Sequence, residues 1–512
     1  MSLLQRGRTR LLWLVLAMLV GVLHPLAAQD EVSPGFEEWE CPFPAMERVT
    51  CGYLVVPEDR SLADGATIEL AVAIISAANG DPDAPAVVYL EGGPGGSALF
   101  GTDSFLTHPV TEDYTLILFD QRGTGFSVPS LNCPELEGED GGDDPAACRD
   151  RLQDEGIDLQ MYSTAASAAD VNDLVLALGY EQVKLWGISY GTKLGLTVLR
   201  DFPEIVESAV LDSVYPPETD DYEVQTEAVL GALNTLFESC AADSVCSEAY
   251  PTLEDDFYAM LEALDENPVT VGVAEDELTL DGRTVYDALF TTLYDTEALP
   301  FLPYGIDLLA HAQDVNDYAE GYDIVSNNAL PVETGGESGS AMPVAESDEV
   351  LAYMDEVGQI DDAEGMAFSV DCQEEYQLHD AESAIPLAES APAPVNTYLV
   401  DGIYSNVQNC EIWGVETADP IEGERVVSDV PTLLFAGAFD PITPISSAES
   451  ALEGLSNGQL MAFPSAGHGI TVADTESGAC AKQLMLAFLA DATAELDTQC
   501  IDETSVIEFY VP

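Results

Sequence analysis

Short apolar runs alternate with longer amphipathic stretches through the first 215 residues of the chain. The short runs are rich in β-branched residues, which predicts strands. Apolar residues three and four apart predict helices over 165–178 and 192–201, between the last three runs. This alternation is typical of a mostly parallel sheet with crossover helices. The predicted strands are 52–56, 68–75, 86–90, 116–119, 183–186 and 209–211.

Helix-like patterns dominate after residue 215, and strand patterns return only near the C-terminus. The predicted helices of this middle part are 224–240, 253–264, 285–294 and 350–357. Within it, residues 331–348 are rich in Gly, Ser and Glu, which is typical of an exposed loop. Two strands and a helix then close the chain, at 432–436, 459–463 and 481–492.

The simplest architecture is one α/β domain with a large, mainly helical cap inserted into it. A chain of 512 residues exceeds what one simple core usually holds, which favours such an insertion. The mostly parallel sheet would have about eight strands, drawn from residues 29–215 and 426–512. The cap would comprise residues 216–425.

The first 28 residues have the pattern of a secretory signal peptide. Arg6, Arg8 and Arg10 precede an apolar run over 11–23, and small residues follow at 26–28. The run is short for a membrane span, although an uncleaved anchor is the alternative. We expect a secreted protein, extracellular or periplasmic, with no stable membrane insertion after cleavage.

The chain is strongly acidic, with 94 Asp and Glu against 14 Lys and Arg and a formal charge of −80. Cleavage after residue 28 would remove three arginines and leave a charge of −83. Such a surface repels nucleic acid and anionic lipid, so neither is an expected partner. It suits a salty medium, in which counter-ions screen self-repulsion, although a merely soluble exported protein is the alternative.

Ten cysteines, an even number in an exported chain, predict disulfides. The chain has no CxxC motif, and its histidines stand far from most cysteines, so we expect no metal site. Sequence cannot determine the connectivity, but the spacing favours local pairs. These are Cys41–Cys51, Cys133–Cys148, Cys240–Cys246, Cys372–Cys410 and Cys480–Cys500.

The sharpest chemical signal is Gly187-Ile188-Ser189-Tyr190-Gly191. A nucleophilic serine stands at a sharp strand-to-helix turn, and glycines two residues away let neighbouring backbone pass close. Predicted strand 183–186 and predicted helix 192–201 supply that context, whereas a plain strand-to-helix turn is the alternative. Ser189 is therefore the predicted nucleophile.

A glycine-rich loop, Glu91-Gly92-Gly93-Pro94-Gly95-Gly96-Ser97, directly follows the predicted strand 86–90. Backbone N–H groups in such a loop can donate to a developing oxyanion. We expect one donor from Gly93 and the other from Tyr190, the residue after the nucleophile. A flexible loop or a phosphate site are the alternatives, but the GK[ST] ending of a phosphate loop is missing.

A third motif, Asp120-Gln121-Arg122-Gly123-Thr124-Gly125-Phe126-Ser127, follows the predicted strand 116–119. We interpret Asp120 and Arg122 as structural support that braces the oxyanion loop through a charge-assisted pair.

The predicted base is His468, which lies just after the predicted strand 459–463. His108 and His311 are expected to be solvent-exposed or packing residues. His379, in the predicted cap, is a distant second candidate for the base. The acid falls between nucleophile and base in this kind of site, and Asp440 follows predicted strand 432–436. His468 would take the serine proton, while Asp440 would hold the ring and stabilise the imidazolium. A turn-capping role before proline is the alternative for Asp440.

The three N-terminal motifs together resemble the prolyl aminopeptidase family of α/β-hydrolases. The C-terminal part resembles the secreted tripeptidyl-aminopeptidase-like branch, through residues 440–444, Gly467-His468-Gly469 and the closing Cys480 and Cys500. The resemblance implies an α/β-hydrolase fold, no cofactor, and exopeptidase action on peptides with a free N-terminus. Many prolyl aminopeptidases have His where this chain has Glu91, so strict proline preference does not follow.

The resemblance also implies cap carboxylates that bind the substrate's α-ammonium, because a buried cation needs an anionic partner. The candidates are Glu374 and Glu375, beside Cys372, whose disulfide would hold them rigidly. Two ordinary surface carboxylates are the alternative. For the whole protein, an esterase or other small-acyl hydrolase on the same triad is the runner-up, and a non-catalytic binding protein on this scaffold comes third.

Overall fold

The central sheet has nine strands, in a computed structural model that describes residues 35–43, 46–62, 65–136, 144–273, 276–327 and 362–512. The strands are β1 (Phe36–Trp39), β2 (Val49–Pro57), β3 (Thr67–Ile75), β4 (Ala86–Leu90), β5 (Thr115–Phe119), β6 (Val183–Ile188), β7 (Val206–Asp212), β8 (Val269–Val273), β9 (Asp276–Leu280), β10 (Thr432–Gly437) and β11 (Gly458–Phe463). The order in the sheet is β1-β2-β3-β5-β4-β6-β7-β10-β11, and β8 and β9 form a separate antiparallel pair.

Parallel pairing runs without interruption from β5 through β4, β6, β7 and β10 to β11. The first strands, β1 to β3, are antiparallel to their neighbours. The predicted α/β class with a mostly parallel sheet is confirmed, with nine strands in place of about eight. In a parallel sheet the carboxyl ends of the strands meet at one edge, which is where ligands bind in such folds.

Helices cover both faces of the sheet and fill most of the described chain between β7 and β10. They are α1 (Thr102–Thr107), α2 (Pro145–Asp154), α3 (Thr164–Ala177), α4 (Tyr190–Asp201), α5 (Asp221–Ala242), α6 (Ser244–Ala249), α7 (Leu253–Glu266), α8 (Gly282–Thr292), α9 (Leu302–Ala310), α10 (Val315–Val325), α11 (Glu364–Asp371), α12 (Ala381–Ala388), α13 (Val395–Trp413), α14 (Ile445–Leu452), α15 (Glu476–Ala490) and α16 (Gln499–Glu503). A π-helical turn, Cys372–Tyr376, follows α11 directly.

Two hydrophobic cores, one on each face of the sheet, explain why strand β4 is a continuous run of apolar residues. Val88 of β4 packs in the core shared with α3 and α4, and the adjacent Val87 and Tyr89 pack in the core shared with α15. All five residues of β4 are buried. Because both faces of a parallel sheet are covered, no polar position appears along such a strand.

The predicted strands and helices agree with the structure wherever it describes them, but strands β1, β8 and β9 and ten of the sixteen described helices went unpredicted. The three strands have four or five residues each, and β1 and β9 also carry acidic residues, so they show no clear strand pattern. The signal segment 1–28, the loop 331–348 and the helix 350–357 fall outside the described residues. Within the described part of the chain, no helix is long and apolar enough to cross a membrane.

The structure contains all five cysteine pairs that the spacing favoured, and no free cysteine is found among the described residues. Cys372–Cys410 ties the π-helical turn to α13, with a Cα–Cα distance of 5.2 Å. Cys480–Cys500 ties α15 to α16. These two disulfides join residues 38 and 20 positions apart and so lower the conformational entropy of the unfolded chain.

The charge of −80 makes the stability of this fold dependent on salt. Raising NaCl from about 0.01 M to about 1 M shortens the Debye length from about 30 Å to about 3 Å and screens the repulsion among surface carboxylates. We expect the Tm at pH 7.5 to rise by several degrees, measured by differential scanning calorimetry. At about pH 4 many carboxylates are protonated, so the same salt step should change the Tm far less. Equal Tm values at both salt concentrations at pH 7.5 would contradict the expectation.

Candidate active site

Ser189 lies in the one-residue turn between β6 and α4. Its φ of +55° places a non-glycine residue in a sparsely populated region of backbone space, and its side chain is partly exposed. The flanking glycines leave no room for a side chain. A Cβ on Gly187 would lie 2.5 Å from the carbonyl oxygen of Gly191, and one on Gly191 would overlap the carbonyl of Leu90. The predicted turn is therefore present, with the strain that a nucleophilic serine has at this position.

The glycine-rich loop after β4 lies against the nucleophile. A Cβ on Gly92 would be 3.0 Å from Ser189 Cβ and 3.6 Å from its Oγ. The backbone N–H of Tyr190, at the first position of α4, and the N–H of Gly93 make no hydrogen bond with any described residue. Two backbone donors in the segments next to Ser189 therefore have no partner among the described residues, which an oxyanion site would require.

Asp120 supports this loop by hydrogen bonds. One carboxylate oxygen accepts from Ser97 Oγ at 2.9 Å and from the Leu99 N–H at 3.0 Å, and the other accepts from the Phe126 N–H at 2.8 Å. Burial raises the pKa of Asp120 to about 6, against the opposing effect of these donors. The predicted supporting role thus has a direct structural basis.

The predicted pair of Asp120 with Arg122 is wrong. Arg122 instead forms a two-pronged ion pair with Asp170 of α3, at 2.7 Å from Nε and 2.8 Å from Nη2, and both side chains are fully buried. Its Nη1 also donates to the carbonyls of Met161 and Glu58. Arg122 therefore joins α3 to the segments beside the sheet, and its partner could not be inferred because it lies 48 residues away.

His468 and Asp440 are hydrogen-bonded at the carboxyl ends of β11 and β10. His468 Nδ1 lies 2.8 Å from Asp440 Oδ2. Thr443 Oγ1 donates to the same Oδ2 at 2.7 Å and lies 3.2 Å from His468 Nδ1. The other oxygen, Oδ1, accepts from the N–H groups of Ile442 and Thr443 at 3.0 and 2.8 Å. These donors orient the carboxylate toward the imidazole.

Each member of this pair favours the charged form of the other. Burial alone would raise the pKa of Asp440, but attraction to His468 and the hydrogen bonds outweigh it and lower that pKa. Burial alone would lower the pKa of His468, but the charge and hydrogen bond of Asp440, with a further contribution from Asp212, raise it. The imidazolium that forms when His468 takes a proton is therefore stabilised.

The loop that carries His468 packs beside the nucleophile turn. A Cβ on Gly469 would lie 3.7 Å from Ile188 Cγ2, at the end of β6. The Ser189 N–H donates to the carbonyl of Asp212, the last residue of β7, at 3.0 Å. The His468 side chain is 11% exposed, and Ser189 Oγ makes no hydrogen bond among the described residues. The predicted nucleophile and the predicted base therefore follow β6 and β11, which β7 and β10 separate in the sheet, and both side chains are partly exposed.

The cap carboxylates Glu374 and Glu375 are fully buried on the π-helical turn, rather than lying on the surface. Lys193, on α4, ion-pairs with both: its Nζ is 3.1 Å from Glu374 Oε2 and in close contact with Glu375 Oε1. Glu374 also accepts from the Thr164 N–H and Oγ1, both at 2.6 Å. Its oxygens are fully used, whereas Glu375 Oε2 has no partner among the described residues.

Two further carboxyl groups, Asp221 and Asp371, surround the same lysine. Burial raises the pKa of Asp371 and that of Glu375 to about 8, and repulsion from Asp221 adds to both shifts. Burial also raises the pKa of Asp221 to about 6, and Gln225 Nε2 donates to it at 2.5 Å. With Glu374, four acidic side chains therefore meet one lysine, and their full ionisation would leave a net negative charge inside the protein.

Tyr294 connects this acidic group with the proposed base. Its ring centroid is 4.9 Å from that of His468. Burial raises the pKa of its phenol, and the nearby charges of Asp440 and Asp221 raise it further. Asp221 thus acts electrostatically on a side chain that contacts His468, and Lys193, four residues after Ser189 on α4, connects the acidic group with the serine turn.

The sequence analysis assigned no role to four residues of this region: Thr443, Lys193, Asp221 and Asp371. Thr443 was detectable, because an Asp followed three residues later by Thr is a common hydrogen-bonded turn. Lys193 is one of only three lysines and lies one helical turn after Ser189, a further usable signal. Asp221 and Asp371 have no sequence feature that distinguishes them from the other residues among the 94 Asp and Glu.

Residues 85–472 match a family model described as alpha/beta hydrolase fold. The chain belongs to the α/β-hydrolase fold family. The match includes the Ser189 turn, the glycine-rich loop, Asp440 and His468, which are the parts of the chain that the structure brings to one sheet edge. The protein is an enzyme of the serine hydrolase type.

Several relatives are peptidases by name. The serine protease Hip1 of Mycobacterium tuberculosis strain H37Rv is 24% identical over 475 residues, 86% of this chain and 85% of its own length. The tripeptidyl aminopeptidase of Streptomyces lividans is 30% identical over 207 residues, 36% of this chain and 38% of its own. A probable proline iminopeptidase of Streptomyces coelicolor is 30% identical over 135 residues, 26% of this chain and 34% of its own.

The crystal structure of proline iminopeptidase from Mycobacterium smegmatis is 14% identical, with a TM-score of 0.37, over 86% of this chain and 98% of that one.

The hydrolase offers one group of side chains with metal-ligand spacing among its described residues: Cys133, Glu135 and Cys148. The two sulfurs are bonded to each other, so neither is available as a thiolate.

Replacing Lys193 with methionine should destabilise the hydrolase by about 3–5 kcal/mol at pH 8, because the variant leaves several buried carboxyl groups without their cation. The loss should shrink at pH 6, where Glu375 takes up a proton, since its pKa is already raised to about 8. Urea unfolding at both pH values measures this.

The matched control is Lys184→Met. Lys184 is also buried but its partner, Glu207 at 2.7 Å, is 56% exposed, so the loss should be at most about 1 kcal/mol. Equal losses for the two variants would contradict the importance of the buried acidic group.

Proposed function

We propose that this hydrolase is a secreted serine peptidase that removes amino acids or short peptides from free N-termini. The observation that carries the proposal is the largely buried acidic group around Lys193, one helical turn after Ser189, in which four carboxyl groups face one lysine. The names of the relatives, a serine protease and two kinds of aminopeptidase, support the same substrate class. The five disulfides support an oxidising, extracytoplasmic location.

In the proposed reaction, Ser189 Oγ attacks the carbonyl carbon of the scissile peptide bond as His468 Nε2 accepts the hydroxyl proton. The carbonyl π electrons move to oxygen, and the N–H groups of Gly93 and Tyr190 bind that oxyanion. Collapse breaks the C–N bond, and His468 gives its proton to the leaving amine. Water then attacks the acyl-enzyme with His468 as base, which restores Ser189 and releases the acid.

The acidic group is suited to an α-ammonium because one of its oxygens has no hydrogen-bond donor and its carboxyl groups outnumber the cations. Glu375 Oε2 is buried without a partner, and Asp371 is partly exposed beside it. An ammonium brings one positive charge and three N–H donors, which would neutralise a carboxylate and satisfy that oxygen. Of the two predicted carboxylates, Glu375 is thus the better candidate, because Glu374 is already saturated by Thr164 and Lys193.

Recognition of the ammonium distinguishes this function from that of an esterase on the same triad. We expect the purified protein to cleave an unblocked tripeptide p-nitroanilide at least about 100-fold faster, in kcat/KM, than its N-acetylated form, which is about 2.7 kcal/mol of lost interaction. Initial rates of p-nitroaniline release measure it. Ser189→Ala, the control, should abolish both rates. Equal turnover of the two substrates would point to the esterase or small-acyl hydrolase, and cleavage that survives in Ser189→Ala would require another nucleophile.

The same interaction predicts a pH dependence. The pKa values of Asp371 and Glu375 are raised to about 8, so protonation weakens ammonium binding as pH falls below that value. A peptide α-amino group loses its charge above about pH 8, so kcat/KM for the free peptide should be greatest near there.

Asp371→Asn should raise KM for the free peptide about tenfold and leave hydrolysis of p-nitrophenyl acetate unchanged. Asp401→Asn, at an exposed position of α13, is the control and should change neither. An Asp371→Asn variant with wild-type KM would remove Asp371 from the ammonium site.

A further inference from the structure

The loop that carries His468 is held from two sides. On the cap side, the Gly467 N–H donates to Thr296 Oγ1 at 2.9 Å and the His468 N–H donates to the carbonyl of Tyr294 at 3.0 Å. On the sheet side, the Gly469 N–H donates to Ser213 Oγ at 2.8 Å. Two residues later, Thr471 is bound by Asp212.

Asp212 makes the tightest of these contacts. Its Oδ2 accepts from both the N–H and the Oγ1 of Thr471, each at 2.6 Å. Thr471 Oγ1 in turn accepts from Trp186 Nε1 at 3.1 Å, and the Thr471 carbonyl lies 3.1 Å from His108 Nε2. Thr471 is therefore fixed at its amide, hydroxyl and carbonyl groups.

The same aspartate also contacts the nucleophile turn, because its carbonyl accepts the Ser189 N–H at 3.0 Å. One residue thus holds Ser189 through its backbone and the His468 loop through its side chain. Proton transfer requires the two reacting groups to be within hydrogen-bond reach, and small misplacements are costly. Asp212 is therefore in a position to set the distance between nucleophile and base.

The charge of Asp212 is not needed for these hydrogen bonds. Both donors of Thr471 are bound by Oδ2, and Oδ1 is buried with no partner among the described residues. An asparagine could supply the same single acceptor, whereas a buried carboxylate with one unpaired oxygen costs stability. A function for the negative charge must therefore lie beyond Thr471, and the cation that forms nearby during the reaction is the His468 imidazolium.

We propose that Asp212 is a second acidic residue of the site, a positioning residue that holds the His468 loop against the nucleophile turn and whose negative charge stabilises the imidazolium. The raised pKa of His468 agrees with this, since Asp212 contributes to it after burial and Asp440. The other titratable groups packed here are Tyr294 beside His468, Tyr89 beside Asp212 and His108 below Thr471. The inference rests on the proposed roles of Ser189 and His468.

The test compares Asp212→Asn and Thr471→Val with Thr432→Val. Thr432 is an equally buried threonine that donates to the Val430 carbonyl at the opposite edge of the sheet. The readouts are kcat and KM for p-nitrophenyl acetate, the pH dependence of inactivation by a fluorophosphonate probe, and Tm.

Asp212→Asn should lower kcat at least about tenfold, with KM within about twofold, and shift the acid limb of the inactivation profile down by at least about 0.5 pH unit. Thr471→Val keeps the charge, so it should lower kcat about threefold without moving the limb. Thr432→Val should lower Tm with unchanged kcat.

An Asp212→Asn variant with kcat within twofold of wild type, or with an unmoved acid limb, would overturn the proposal. If Asp212→Asn does not fold, the test uses Thr471→Val. A wild-type kcat for Thr471→Val would then overturn the proposal as well. Failure of the probe to label the wild-type protein is a different result, because it would remove the serine hydrolase chemistry itself.

Discussion

The backbone conformation of Ser189 is the constraint on which the rest of the site depends. A non-glycine residue at φ +55° is unfavourable and persists only where its surroundings hold it. Here a buried strand enters the turn, a helix leaves it, and the Asp212 carbonyl accepts the serine N–H. Because Gly187 and Gly191 admit no side chain, the β4 loop can approach the hydroxyl from above. The strained turn thus leaves the hydroxyl partly exposed, next to the glycine-rich loop.

The protein contains two buried groups of charged side chains, one around Arg122 and one around Lys193, and they differ in the ratio of acidic to basic groups. Arg122 and Asp170 form a fully buried pair that joins structural segments, and Arg60 is a second cation at Asp170. The group around Lys193 has the opposite excess, with four carboxyl groups for one cation. An excess of acidic groups is costly unless protons or a cationic ligand neutralise it. The proposed ammonium site rests on this excess of acidic groups around Lys193.

The cap and the sheet build the site together. The Ala363 N–H donates to the carbonyl of Gly95 at 3.0 Å, so the cap supports the glycine-rich loop. Tyr294, also from the segment between β7 and β10, holds the backbone of His468. Asp212, from the sheet, holds the same loop from the other side through Thr471. Hydrogen bonds thus connect the glycine-rich loop and the His468 loop with the segment between β7 and β10.

The sequence by itself predicted eight of the eleven described strands and the turn at Ser189, and it favoured the local cysteine pairs, because each of these rests on short-range patterns. It also identified Glu374 and Glu375, but not their burial or their lysine. Only the tertiary structure decided that Arg122 pairs with Asp170 rather than Asp120, that Lys193 faces four carboxyl groups, and that Asp212 holds the His468 loop. These contacts join residues up to 259 positions apart. Their partners are ordinary acidic residues, so no local pattern selects them, and only packing and charge balance in the folded chain do.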